Sequence, residues 1–136
     1  MIGKRLLLGA IVIASLAGCQ MVETADVAVA PARLSASTMS SAKAYMADRL
    51  IDPESIKVRN ETGYRTRLGD EIICGQWDGK NRMGGYTGYE TFYIRIRERE
   101  VKAFQTSYSA DRACTMAAAG SVDLPVSQVP GAQPAG

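Results

Sequence analysis

The 136-residue chain contains no histidine. That absence removes the side chain most suited to proton transfer near neutral pH and the commonest metal ligand. The three cysteines, Cys19, Cys74 and Cys114, cannot replace it. Cys74 and Cys114, without partner ligands, do not make a tetrahedral metal site, so no metal or other cofactor is expected. No serine stands beside an evident base, which leaves nucleophilic catalysis without its usual parts. Charge of one sign is also scarce, with 16 basic against 14 acidic residues. Lys4 and Arg5 belong to the N-terminal segment discussed next, and setting them aside leaves 14 of each sign. A chain this close to neutral has no basic field to favour nucleic acid by counterion release, so no nucleic-acid partner is expected. The uncharged apolar run Leu6 to Gly18 is thirteen residues long. That is short of the roughly 20 residues that cross a bilayer as a helix.

What is present begins with that run. Lys4 and Arg5 precede it and small residues end it, the layout of an export signal over residues 1–18. An ordinary secretory cleavage site and a short buried helix are the alternatives. Leu16-Ala17-Gly18-Cys19 resembles the lipobox of bacterial lipoproteins. The resemblance implies cleavage before Cys19, a diacylglyceryl group on its sulfur and acylation of the new amino terminus. Two or more acyl chains form a lasting anchor where one does not. Gln20 follows the cysteine, and in that family inner-membrane retention goes mainly with an Asp there. The resemblance therefore points to the outer membrane, with the chain facing the periplasm. Assigning Cys19 to lipid leaves Cys74 and Cys114 as a pair in an oxidising compartment, where a disulfide is expected. Closing 39 intervening residues stabilises a domain by roughly 4 kcal/mol in the chain-entropy model.

Beyond the signal, residues 19–33 are rich in Ala, Val and small polar residues, contain Pro31 and show no clear period. They read as a lipidated start and flexible tether, reaching on the order of 20 Å, with a first strand through Val27 and Val29 as the alternative. Residues 34–120 read as a single α+β domain. Ser35 to Ile51 carries Leu34, Thr38, Ala42, Tyr45, Met46 and Leu50 at helical spacing, with Ser35 or Ser37 as cap and Asp52-Pro53 as the stop. Ser55 to Arg59 alternates like a half-buried strand, and Glu61 to Gly63 reads as a turn. A second strand runs from Tyr64 or Asp70 to Trp77. Glu90 to Arg99 alternates most clearly, with Phe92, Ile94 and Ile96 on one side and Tyr93, Arg95 and Arg97 on the other. Glu98 to Glu100 reads as a hairpin tip and Val101 to Tyr108 as the last strand. The short connections require a mainly antiparallel sheet, of about four strands. Ala110 to Ala119 reads as a short helix clipped by Cys114 and ended by Gly120. Residues 121–136, with Pro125, Pro130 and Pro134, read as a disordered tail.

The remaining stretch, Cys74 to Phe92, clusters glycines among Trp77, Lys80, Asn81, Arg82, Tyr86 and Tyr89. Aromatic faces and planar donors on a turn-rich loop suit a sugar or a protein partner. The competing reading is a long hairpin connection whose tyrosines pack back on the sheet edge. Asp52-Pro53-Glu54-Ser55, Lys57 and Arg59, followed by Cys74-Gly75, Lys80-Asn81, Gly84-Gly85-Tyr86, Gly88-Tyr89 and Phe92, resemble a family of short exported proteobacterial proteins. Members often carry Val-Asn where this chain has Trp77-Asp78. The resemblance implies the small α+β fold and brings no reaction with it.

Three functions fit these residues. The first, favoured here, is a membrane-anchored envelope lipoprotein that contacts another envelope protein without catalysis. The second is a glycan or small-ligand module built on the loop from Trp77 to Tyr89. The third is an enzyme using Asp78 and Glu90 as a glycosidase-like carboxylate pair, and it has the least behind it.

Overall fold

The computed structural model describes residues 21–132, so the export signal and the lipobox with Cys19 lie outside the described residues. Eight elements follow one another: β1 (Thr24–Pro31), α1 (Ala36–Ala47), β2 (Lys57–Thr66), β3 (Glu71–Asp78), β4 (Glu90–Arg97), β5 (Glu100–Thr106), α2 (Ser107–Ala119) and β6 (Ser121–Pro125). The strands form one sheet in the order β5-β4-β3-β2-β1-β6, each neighbour antiparallel to the next. The class is α+β and antiparallel as expected, but six strands replace the expected four.

Both additional strands come from stretches read as tether and tail. In β1, Val27 and Val29 alternate inward, and the strand pairs with β2 on one side and β6 on the other. Two ladders and the burial of both valines outweigh the poor strand propensity of alanine, and Pro31 stands at the strand's end, where a missing N–H costs least. In β6, Val122 and Leu124 turn inward and Pro125 ends the strand. Residues 126–128 form a 3-10 turn and Val129 closes over the same core. Five residues, Ser121 to Pro125, ending in a proline give an alternation too short to read without the partner strand.

The expected turn at Glu61 to Gly63 is instead the interior of β2. Arg59 pairs with Gln76 but Thr62 pairs with Cys74, so a bulge is accommodated here, with Asn60 at φ 56°. Gly63 serves close approach rather than turning, since a Cβ there would meet the Ala32 carbonyl oxygen at 2.5 Å and Leu34 Cγ at 2.8 Å. The chain turns four residues later, at Arg67 to Gly69, where the Gly69 N–H donates to the Thr66 carbonyl at 2.9 Å. Helix α1 begins as expected, with the Ser35 hydroxyl accepting from the Thr38 N–H at 3.2 Å. It stops at Ala47, one turn before Pro53 would force it to.

Each face of the sheet carries a helix. On one, Ala42 and Met46 of α1 pack on Ile73, Trp77, Phe92, Ile94 and Ile96. On the other, Ala110 and Ala117 of α2 pack among Val27, Tyr64, Ile72, Tyr93, Val122 and Leu124. The alternation in β4 is therefore right in period, but both faces are buried: Tyr93 and Arg95 point into the second core, not into solvent. Helix α2 leaves β5 at one sheet edge and delivers the chain to β6 at the other, touching β1, β4, β5 and β6. The sheet curls around it. Gly120, at φ 108°, ends the helix in the left-handed conformation as expected. Cys74 of β3 is bonded to Cys114 of α2, which fixes the helix to the middle of the sheet. Glu98 and Arg99, at φ 50° and 68°, make the two-residue tip of the β4–β5 hairpin.

Candidate functional site

The connection between β3 and β4 is held by a set of contacts that joins residues 52–59 to residues 80–89. Ser55, at the end of the 3-10 turn Pro53–Ser55, is the centre of it. Its hydroxyl donates to the Asp52 carbonyl at 2.6 Å and accepts from the Lys80 N–H at 2.9 Å. Its carbonyl accepts from the Tyr86 hydroxyl at 3.0 Å. Lys80 and Tyr86 form a β-bridge, so a single serine pins both sides of the loop. Beyond the bridge, Asn81 Oδ1 accepts from the N–H groups of Met83 (2.9 Å) and Gly85 (3.2 Å), closing an Asx-type turn. Gly84 and Gly88, at φ 78° and 110°, supply the left-handed positions that this path requires.

Lys57 and Arg59, on β2, complete the arrangement. Lys57 Nζ lies 3.9 Å from the Tyr86 ring centre, and Arg59 Cζ lies 3.6 Å from that of Tyr89. The Arg59 Nε also donates to Gln76 Oε1 at 2.9 Å. Cation–π contacts of this kind at exposed sites are worth about 0.5–1 kcal/mol each. The residues Asp52, Ser55, Lys57, Arg59, Lys80, Asn81, Tyr86 and Tyr89 thus act as one latch that sets the loop against the sheet end.

The candidate residues separate accordingly. Lys80, Asn81, Tyr86 and Tyr89 are brought together in the latch. Arg82 and Met83 form its exposed tip, with Met83 92% accessible. Trp77 is elsewhere: it is buried in the α1 core, its ring edge-on to Phe104 at 5.6 Å and its indole N–H donating to Glu90 Oε1 at 3.1 Å. Glu90 also accepts from the Ser107 hydroxyl. Because Trp77 pairs with Glu90, strand alternation sets Asp78, the next residue, on the opposite face from Glu90. Asp78 Oδ1 accepts from the adjacent Gly79 N–H at 2.8 Å. The two carboxylates do not share a cleft of glycosidase type.

A second polar cluster escaped sequence reading altogether. Asp70, fully buried, faces two guanidinium groups. Arg95 Nη1 donates to its Oδ2 at 2.6 Å, and Arg97 Nε donates to its Oδ1 at 2.5 Å. Gln128 adds its side-chain oxygen to Arg95 and its carbonyl to Arg97. The Asp70 hydrogen bond and charge hold the Arg97 pKa above its ordinary value. Burial pushes the Tyr93 phenol up to about 12, against the opposing charge of Arg95. The only sequence signal was the pair of arginines on the apparently polar side of β4; their partner lies 25 positions from Arg95 and 27 from Arg97 and is set by strand register.

Comparison with protein-family models, with curated proteins and with solved structures finds no match to this chain. Among the described residues there is no group of three or more acidic, cysteine or histidine side chains placed to hold a metal. No helix of the described residues is long and apolar enough to cross a membrane.

Proposed function

We propose that the chain is a lipoprotein of the bacterial outer membrane, anchored through Cys19 and facing the periplasm, whose folded part makes a non-enzymatic contact with an envelope protein. The contact surface is the loop tip at Arg82 and Met83. The observation that carries this reading is a methionine 92% exposed on a loop whose base is fixed by Ser55, Asn81 and Tyr86. An exposed apolar side chain on a preorganised support loses little conformational freedom on binding, which favours association. Methionine and arginine are enriched in protein interfaces. The glycan reading finds less support, because Lys57 and Arg59 already cover a face of Tyr86 and Tyr89 and Trp77 is buried.

A photo-crosslinking side chain at position 83, irradiated in intact cells, is expected to give one discrete adduct that Arg82→Glu weakens. The same probe at exposed Asp111 on α2 serves as the control. Absence of an adduct, or equal adducts from both positions, would overturn the contact. For the anchor, Cys19→Ser is expected to abolish lipid labelling and release the chain from membranes; retention at the level of the unaltered chain would overturn it.

A further inference from the structure

Curling brings the two edges of the sheet toward each other beneath α2, and they do not meet. The gap is a cavity of about 400 Å³, walled by β5 on one side, by β6 and Thr24 on the other, and by α2 above. That volume lies within the range of small-molecule pockets, roughly 300–1,000 Å³. We propose that it binds a small organic anion with an apolar body, a monocarboxylate held by cationic side chains around an apolar hollow.

The charge distribution carries the argument. Asp70 is one carboxylate shared by two guanidiniums, so the cluster keeps one positive charge in excess, with the Arg95 side chain 2% exposed and that of Arg97 23% exposed. Arg95, which forms part of the cavity wall, is itself 99% buried by its 1% exposure. Its Nε is buried without a hydrogen-bond partner among the described residues. A buried cation that is incompletely paired is costly, and an anion placed nearby removes that cost. Lys102 and Arg112 bring two further cations to the wall, against the single carboxylate of Asp123. Lys102 also bonds the exposed Glu100 at 2.8 Å, leaving Arg112 as the cation best placed to meet a ligand from outside.

Shape agrees with charge. Lys102 is the extra residue of a bulge, falling between the pairs Arg95–Ala103 and Ile96–Val101. A bulge redirects side chains at a sheet edge, and the edge here is the cavity rim. Ala103, Ala113, Met116 and Val122 make the apolar part of the hollow. Tyr108 stands at its mouth, 79% exposed, where an aromatic ring could close on an apolar body. An ion without such a body would leave this surface wet, so an inorganic anion fits less well than an organic acid.

The test is calorimetric titration of the full chain in phosphatidylcholine nanodiscs, blanked with protein-free nanodiscs, using 4-phenylbutyrate and its neutral analogue 4-phenylbutanol. The acid is expected to bind at one site, at least tenfold more tightly than the alcohol. Arg112→Gln combined with Lys102→Gln, both at the rim, should weaken the acid at least tenfold and leave the alcohol unchanged. Asp123→Asn should tighten the acid. No saturable binding of the acid, equal affinity for acid and alcohol, or an unchanged acid affinity in the double variant would overturn the proposal.

Discussion

Ser55 shows how a single small side chain can organise a loop some 25 residues away. Its hydroxyl answers two backbone groups and its carbonyl answers Tyr86. Removing the hydroxyl leaves the Lys80 N–H without its acceptor, so Ser55→Ala is expected to cost about 1–3 kcal/mol. Urea denaturation checks the magnitude, and amide exchange should show residues 80–88 opening faster while β4 stays protected. Asp70 is the opposite case, a buried charge whose loss strands its partners. Asp70→Asn is expected to destabilise by about 3–5 kcal/mol, because Arg95 stays buried with its main counter-charge gone. A loss within 1 kcal/mol in the same denaturation experiment would show that the cluster carries no such penalty.

At the level of strands and helices, α2 is held by three different means: apolar packing, the Gly120 stop and the Cys74–Cys114 bridge. Reducing the bridge is expected to lower stability by roughly 4 kcal/mol and shift the melting temperature down accordingly. These parts were legible because each has a local signature: alternation in β4, a glycine after a run of helix formers, two cysteines left over. The strands β1 and β6 were not, the first reading only as the alternative to a tether. Val27 and Val29 lie among alanines, and Val122 and Leu124 lie between glycine and prolines, so neither stretch shows its period until the other is beside it. The Asp70 cluster failed to show for the same reason, since register and not spacing brings Arg95 and Arg97 to one carboxylate. In the loop, residue types were readable but their allocation was not. Tyr86 and Lys57 are far apart in sequence, and only the fold reveals that one covers the other.

The molecule as a whole is a curled sheet buried on both faces, with the latch at one end and the anion cavity between its edges. Burial on the α2 side has a consequence for pH. The folded state holds the Tyr93 phenol at a pKa of about 12 against an ordinary value of 10.0, so it prefers the neutral form. Its contribution to stability is complete below pH 10 and is lost as pH rises from about 10 through about 12, roughly 3 kcal/mol in all. Tyr93→Phe should flatten that part of the profile, as read from urea midpoints on either side of the window. An identical fall in the variant would assign the loss to other groups.

In the proposed function the latch presents Arg82 and Met83 to a partner. The most direct measurement is the yield of the position-83 photo-crosslink in intact cells, compared between the otherwise unaltered chain and Ser55→Ala at matched amounts of folded protein. A preorganised contact predicts a yield several-fold lower once the loop is unpinned. An equal or higher yield from Ser55→Ala would contradict it, because the tip would then bind as well without the support the fold provides.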